Sequence, residues 1–197
     1  MKRRLGTFFN RRLSAPGKRR LSIGIVLLLL AANLLVGTRV FAHQWANYHI
    51  NTYGANAYVG VYNYAYYWYE ANDGLYDWHY NTVMDLWYVD YNSSTLVVYD
   101  GNWGNTGWAG LATLHGIDGY GHISWGSAVY NWYYDYAFTY YGKQAIFCQE
   151  AGHVFGLDHS NDGGCMGAGY WYNANYYYYT VAHNWNDLWY MYRYSHH

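Results

Sequence analysis

The stretch Cys148-Gln149-Glu150-Ala151-Gly152-His153-Val154-Phe155-Gly156-Leu157-Asp158-His159 decides how the rest of the chain is interpreted. Gln149 and His153 are four residues apart, so they share one face if the stretch is helical. Gly156 can adopt the positive φ that ends a helix and turns the chain, which returns His159 towards His153. The spacing therefore predicts a site where three side chains meet and Glu150 projects beside them.

Two ligands on a helix and one beyond a turn give the open arrangement of a catalytic zinc. We therefore predict that Gln149, His153 and His159 hold one Zn²⁺ and leave a fourth position for water. Zinc lowers the pKa of such a water, and Glu150 is placed to take its proton. Met166 follows His159 by seven residues, and we expect it to form an apolar floor beneath the metal without ligating it.

Gln149 stands where zinc motifs of this spacing carry a histidine. An amide oxygen is neutral and is a poorer zinc ligand than imidazole or carboxylate. Three interpretations stay open at this point. Gln149 ligates weakly in an active enzyme, another histidine completes the site, or the site is inactive and the fold only binds. The candidate replacement ligands are His115, His122 and His183.

The two cysteines of the chain, Cys148 and Cys165, flank the motif. If the motif folds as predicted, both lie under the metal site, and in an exported protein they favour a disulfide. Two buried thiols are the alternative. Cys148, Ala151 and Phe155 lie three and four residues apart, which predicts that this helix face belongs to the core.

Charge is divided unevenly along the 197 residues. Residues 1–42 hold nine of the eleven Lys and Arg residues and no acidic residue, so residues 43–197 carry a formal charge of −10. An acidic domain is a poor binder of nucleic acid. The 29 Tyr and 11 Trp residues suggest an aromatic surface that meets carbohydrate, cell wall or a partner, although compositional drift is the simpler explanation.

The basic N-terminal region has the features of a secretory signal. An almost wholly apolar stretch from Leu21 to Val36 follows it, and Val40-Phe41-Ala42 offers a cleavage site before His43. We predict a signal peptide over 1–42 and a secreted, extracellular domain over 43–197. The alternative is an uncleaved anchor that holds the domain on the outer side of a membrane. We expect the domain to be a monomer.

The remaining patterns predict an α+β domain. Strands are expected at 58–62, 84–89, 95–99 and 108–114, with a hairpin formed by 122–125 and 128–131 across Gly126-Ser127. Residues 64–80 suggest a helix broken near Asn72-Asp73-Gly74. Lys143 to Leu157 is the motif helix, and 184–194 is a closing helix with Asn184 or Asn186 as its cap. Asp158 and Asp162 offer oxygen ligands for Ca²⁺, but solvated loop acids explain them without a clear motif.

Taken together, these residues resemble the metzincin clan, whose signature has this spacing followed by a Met-turn. The chain is most similar to secreted, matrixin-like bacterial zinc metallopeptidases that read Cys-Gln-Glu-x-Gly-His-Thr-x-Gly-Leu-Asp-His and then Cys-Met, with Val154 here at the Thr position. Further similarity covers most of the mature chain, thinly between 63 and 100. It is carried by His43 to His49, Gly107 to Ala112, Gly121-His122-Ile123, and Ala182-His183 with Leu188 and Tyr192.

This resemblance implies a metzincin-like fold, with a mixed twisted sheet, a backing helix, the motif helix, a Met-turn and a C-terminal helix. It also implies a cleft in which the strand at Gly121 to Trp125 is the edge that binds peptide by strand addition. The implied activity is metalloendopeptidase hydrolysis of a peptide or protein substrate. The alternative is a catalytically inactive binding module for peptide or glycan.

Overall fold

The computed structural model describes residues 44–45, 47–51, 56–167 and 176–194. The predicted signal at 1–42 lies outside these described residues. Within them, the chain folds as an α+β domain, as expected. Its strands and helices, in chain order, are β1 His49–Ile50, β2 Ala57–Asn63, α1 Trp68–Asn81, β3 Met84–Tyr88, the 3₁₀ turn Tyr91–Ser93, β4 Leu96–Gly101, β5 Gly110–His115, β6 His122–Ile123, β7 Trp125–Asn131, the 3₁₀ turn Trp132–Ala137, α2 Tyr140–Val154 and α3 Ala182–Tyr194.

The main sheet has five strands in the order β3-β2-β4-β7-β5. Neighbours in it are parallel except at one edge, where β5 runs antiparallel to β7. A second, two-stranded parallel sheet joins β1 to β6. The sheet is therefore mixed, and its one antiparallel strand has a free edge.

Helices α1 and α2 pack against one face of this sheet. Alternate residues of β2 (Ala57, Val59 and Val61) are buried on that face, as the period of two in a strand requires. The Trp78 indole on α1 donates a hydrogen bond to the carbonyl oxygen of Cys148 on α2 at 2.9 Å. The core thus lies between the sheet and the two helices, directly behind the motif.

The expected break in α1 at Asn72-Asp73-Gly74 is wrong, because the helix runs through these residues. A Cβ atom on Gly74 would lie 2.7 Å from the carbonyl oxygen of Gln144. This glycine therefore allows the two helices to approach closely, and their packing outweighs its low helix propensity.

The expected hairpin across Gly126-Ser127 is also wrong, because β7 is continuous through both residues. Gly126 and Ser127 pair with Leu96 and Val97 of β4. A Cβ on Gly126 would lie 2.6 Å from a Val154 methyl group, so this glycine makes room for α2 and does not form a turn. Consequently, the edge strand beside the motif helix is β5. The segment Gly121 to Trp125 was expected at this edge and does not form it.

The motif helix α2 begins three residues before the predicted Lys143. The Thr139 hydroxyl accepts the Gly142 N–H at 3.4 Å and caps its N-terminus. α3 begins at Ala182, two residues before the predicted start, so Asn184 and Asn186 lie inside the helix and neither is its N-cap. The Asn184 side-chain oxygen instead accepts the Val181 N–H at 3.1 Å. None of the helices in the described part of the chain is both long and apolar enough to cross a membrane.

Candidate metal centre

The motif side chains line one cavity of about 580 Å³ between α2 and the free-edge strand β5. Gln149, Glu150 and His153 reach it from α2, and His159 reaches it from beyond the end of the helix. The structure therefore brings together the four residues that the sequence predicts for the site.

The turn after α2 depends on Gly156, as predicted. Its φ is +99°, in the left-handed region, and a Cβ here would collide with the carbonyl oxygen of Tyr48. The Leu157 N–H donates to the Gly152 carbonyl at 3.0 Å, which closes the helix end. The N-terminal segment holds the turn from the other side, since the Trp45 N–H donates to the Gly156 carbonyl at 2.7 Å.

His153 is held in the tautomer that a metal ligand requires. Its Nδ1–H donates to the carbonyl oxygen of Leu157 at 2.8 Å, which leaves a lone pair on Nε2. Burial lowers the pKa of His153 to about 4, and the neighbouring His159 acts in the same direction. The imidazole is therefore neutral at physiological pH, and the neutral form is the one that binds metals.

The Nε2 atom of His159 faces the Nε2 atom of His153. The two Nε2 atoms lie 3.1 Å apart, with the rings at 74° to each other. Two nitrogen ligands of a tetrahedral zinc are separated by about 3.3 Å at ordinary Zn–N bond lengths. The separation of the two nitrogens suits one shared cation, and it equally suits a hydrogen bond between the rings.

Gln149 is anchored by the loop that carries Met166. Its Nε2 donates to the carbonyl oxygen of Cys165 at 2.9 Å and points to that of Gly167 at 3.5 Å. Carbonyl oxygens only accept, so this contact fixes which end of the amide is the nitrogen. The atom at the other end of the amide is Oε1, the only atom of this side chain that can ligate a metal.

Met166 packs against the motif helix, and it is not among the described residues that line the cavity. Met166 is fully buried, and a Cβ on Gly152 would collide with its sulfur, so the two residues are in close contact. Cys148 and Cys165 form a disulfide that closes a separation of 17 residues, which confirms the predicted pairing. Cys148, Ala151 and Phe155 are buried, which confirms the predicted core face.

Glu150 is almost fully buried, with 7% of its surface exposed. Burial raises its pKa to about 8, against a weaker opposing effect of a hydrogen bond from the Ala112 backbone. The carboxyl lies against β5, where a Cβ on Gly110 would collide with its Oε1 and approach an Ile146 methyl at 2.6 Å. Gly110 thus makes room for the carboxyl, a role that no local pattern in the sequence signals.

The alternative histidine ligands have other contacts. His115 stacks on Trp125 with 3.8 Å between ring centroids, and His122 Nδ1 lies 2.7 Å from an Asp118 oxygen. His183 lies within 3.2 Å of a carboxylate oxygen on each side, from Asp162 and Asp187. None of the three is among the described residues that line the cavity.

The candidate calcium ligands are also engaged. Asp162 pairs with His183 at 3.2 Å, and Asp158 accepts the N–H of His159 at 2.7 Å. As far as the chain is described, no three His, Cys, Asp or Glu side chains form a group that could hold a metal. Of the predicted ligands, Gln149, His153 and His159 are the ones that line the cavity.

Several aromatic residues of the cavity escaped the sequence analysis. The Trp45 ring stands edge-on to His153 at 5.5 Å between centroids. Trp108 and Tyr134 also line the cavity. The Tyr134 hydroxyl accepts the Gly107 N–H at 2.7 Å. Their sequence spacing from the motif is irregular, so only the fold identifies them.

The donor set fits a zinc ion, since two imidazole nitrogens lie at a suitable separation and the Gln149 amide lines the same cavity. No protein-family model matches the chain, and no curated protein matches its sequence. The assignment of function therefore depends on the site itself.

Proposed function

We propose that the domain is a zinc-dependent metalloendopeptidase of the metzincin type, with His153, His159 and Gln149 as its metal ligands. The observation that carries this proposal is the pair of imidazole Nε2 atoms 3.1 Å apart beside a buried glutamate. Further support comes from the positive φ of Gly156 and from Met166, which packs beneath the helix at Gly152.

Zinc bound there would polarise a carbonyl group and acidify a water molecule. Glu150 would then accept a proton from the attacking water on a carboxylate oxygen and pass it to the leaving amine nitrogen. Its pKa of about 8 applies to the protein without metal. A cation nearby favours the ionised carboxylate, which would lower that pKa and allow Glu150 to act as a base near neutral pH.

A peptide can add to the free edge of β5. The Asn131 N–H bonds to the Ala109 carbonyl, so residues 109, 111 and 113 face β7. In an antiparallel pair, alternate residues turn their N–H and C=O groups outward. Gly110 and Leu114 therefore turn their backbone groups outward, as does Ala112, whose N–H is already bonded to Glu150. The remaining groups suit recognition of extended peptides as a class.

The test is hydrolysis of a quenched fluorescent peptide library by the purified domain with one equivalent of zinc. We expect cleavage that a chelator stops, that added zinc restores, and that Glu150→Gln abolishes. Glu70→Gln, at the only other glutamate, is the matched control and should retain full activity. Cleavage that survives Glu150→Gln would overturn the proposal.

A second candidate is a catalytically inactive module of the same fold that binds peptide or glycan. The presence of Gln149, a neutral and weaker ligand than histidine, favours it. Stoichiometric zinc without any Glu150-dependent cleavage across the library would support this alternative.

We also propose that the domain is secreted, with an uncleaved membrane anchor that leaves the domain facing outside as the alternative. The Cys148–Cys165 disulfide supports export, because such bonds persist in oxidising compartments. N-terminal sequencing of the exported protein distinguishes the two, since a cleaved signal leaves His43 as the first residue.

A further inference from the structure

The carbonyl group of Leu157 sets the orientation of the His153 imidazole, because its oxygen accepts the Nδ1–H at 2.8 Å. This carbonyl lies in the turn that follows α2. Gln44 fixes the turn from outside, since it forms an antiparallel β-bridge with Leu157. The next residue, Trp45, donates its N–H to the Gly156 carbonyl at 2.7 Å. The N-terminal segment therefore holds the backbone that orients this imidazole.

This segment, which we call the N-terminal clamp, comprises residues 44–45 and 47–50. Its far end is anchored by Tyr192 on α3, whose side chain is fully buried. The Tyr192 hydroxyl accepts the Ile50 N–H at 3.0 Å and donates to the Phe155 carbonyl at 2.9 Å. The clamp is thus joined to the end of α2 at both of its own ends.

Between its two ends the clamp makes a tight turn. The Tyr48 N–H donates to the Trp45 carbonyl at 3.0 Å, and Asn47 inside the turn has a φ of +63°. Asparagine tolerates this left-handed conformation better than most residues do. The Tyr48 carbonyl lies against Gly156, where an added Cβ would collide with it. The turn therefore packs directly on the end of the motif helix.

The side chain of Trp45 reaches the metal centre itself. Its indole stands edge-on to the His153 imidazole, with 5.5 Å between the ring centroids and 65° between the ring planes. Aromatic rings favour this arrangement over face-to-face stacking. A large ring at this distance limits the rotation of the imidazole and keeps water away from that side of it.

The position of Trp45 shows that its side chain serves the site more than the core. It lines the cavity that contains His153 and Glu150, and 39% of its surface is exposed. Within the described part of the chain, it is not a member of the hydrophobic core cluster. Its indole is therefore available to orient a metal ligand without being needed to fill the interior.

Orientation of a ligand before the metal binds increases affinity, because less rotational freedom is lost on binding. Removal of a group that orients a ligand typically lowers metal affinity by about 10–100-fold. For His153 two such groups are present. The Leu157 carbonyl fixes its tautomer, and the Trp45 indole limits the rotation of its ring.

We propose that Trp45 is a positioning residue of the metal centre, which acts through His153 and makes zinc affinity depend on the N-terminal clamp. This inference rests on the proposed function, in which His153 binds zinc. The indole keeps the imidazole Nε2 directed towards His159, while the clamp backbone holds the carbonyl that receives the Nδ1–H. By linkage, zinc binding stabilises the docked clamp as much as the docked clamp strengthens zinc binding.

The first experiment needs no metal. NMR of the chelator-treated domain follows the Nδ1–H of His153, whose hydrogen bond to the Leu157 carbonyl slows its exchange with water. We expect this signal in the wild type and in Trp45→Phe, which retains a ring beside the imidazole, and its loss in Trp45→Ala. The matched control is Trp87→Ala, which should keep the signal. Its indole is 55% exposed on β3, at the opposite edge of the sheet from β5.

Zinc affinity is the second readout, measured for the same four proteins by competition with a chelating indicator. We expect Trp45→Ala to bind zinc at least about tenfold more weakly than the wild type. Trp45→Phe should restore most of this affinity, and Trp87→Ala should equal the wild type. Urea denaturation without metal checks the fold of each variant. If Trp45→Ala is destabilised, Trp45→Leu takes its place, because leucine keeps apolar volume without a ring.

Three outcomes would overturn the inference. They are no His153 Nδ1–H signal in the metal-free wild type, a signal and a zinc affinity in Trp45→Ala that equal those of the wild type, and equal losses in Trp45→Ala and Trp87→Ala. A wild type that binds no zinc at saturating concentration would overturn the proposed function instead. In that case the metal-free signal alone decides whether Trp45 holds the imidazole.

Discussion

His153 Nε2 and His159 Nε2 face each other at 3.1 Å across the cavity. The Nδ1–H of His153 is already committed to the Leu157 carbonyl, so its Nε2 can only accept. Two such nitrogens either share one proton or share a cation, and we propose the cation. The predictions below test the elements that hold this pair in place.

Gly110→Ala should remove activity without removing the fold. A Cβ at this position collides with Glu150 Oε1 and crowds Ile146, so the carboxyl must move away from the reacting atoms. We expect kcat/KM to fall by about 100-fold while the thermal midpoint changes little. Gly119→Ala, where an added Cβ has nothing within 4 Å, is the control. Full activity of Gly110→Ala would contradict the assigned place of Glu150.

Gly156→Ala should destabilise the whole domain. It adds a side chain at a φ of +99° and a collision with the Tyr48 carbonyl, and we expect a loss of roughly 3 kcal/mol in the free energy of unfolding. Gly104→Ala is a matched control, because its φ is +72° with nothing within 4 Å of the added Cβ. It should cost only about 1 kcal/mol in urea denaturation. Equal losses in the free energy of unfolding for the two variants would show that Gly156 does not lie in close contact with the Tyr48 carbonyl.

Loss of the Cys148–Cys165 bond should weaken both the fold and the metal site. The bond closes a separation of 17 residues, for which chain entropy predicts about 3 kcal/mol of stabilisation. The Cys165 carbonyl also holds the Gln149 amide, so zinc affinity should fall as well. Urea denaturation and zinc titration of Cys148→Ala with Cys165→Ala test this. Unchanged zinc affinity would show that the disulfide does not help to hold the metal site in place.

The metal-free domain should lose stability as the pH rises from about 6.5 to 8. Burial raises the pKa of Glu150 from 4.5 to about 8, so the folded state binds more protons than the unfolded state across that range, and stability falls with increasing pH. His153 has the opposite effect, since its pKa is lowered from 6.5 to about 4. The stability that His153 contributes is fully present above pH 6.5 and is lost as the pH falls towards about 4.

Between pH 6.5 and 8 only the Glu150 effect operates, and it amounts to about 2 kcal/mol. Glu150→Gln should abolish this decline when unfolding is measured with a chelator present. An identical decline in the variant would assign it to another group.

The sequence predicted that the motif side chains meet in one cavity, because the geometry that brings them together is local. The spacing of Gln149, His153 and His159 along one helix and its turn determines where these side chains meet. The left-handed turn at Gly156 and the pairing of Cys148 with Cys165 were predicted for the same reason.

The sheet was predicted less well because strand pairing is not local. Gly126-Ser127 has the composition of a turn, yet its pairing with β4 and the close approach of Val154 make it the middle of a strand. Gly74 similarly suggested a helix break, whereas contact with α2 keeps the helix intact. In both cases tertiary packing determines why the glycine is present.

The most direct test of the metal centre is the zinc content of the purified mature domain, compared with that of Gln149→Ala and His153→Ala. One zinc per chain in the wild type, with weaker binding in Gln149→Ala and none in His153→Ala, is the predicted result. Zinc bound with unchanged affinity in Gln149→Ala would remove that residue from the ligand set. No zinc in the wild type at saturating concentration would contradict the account of the site as a zinc centre.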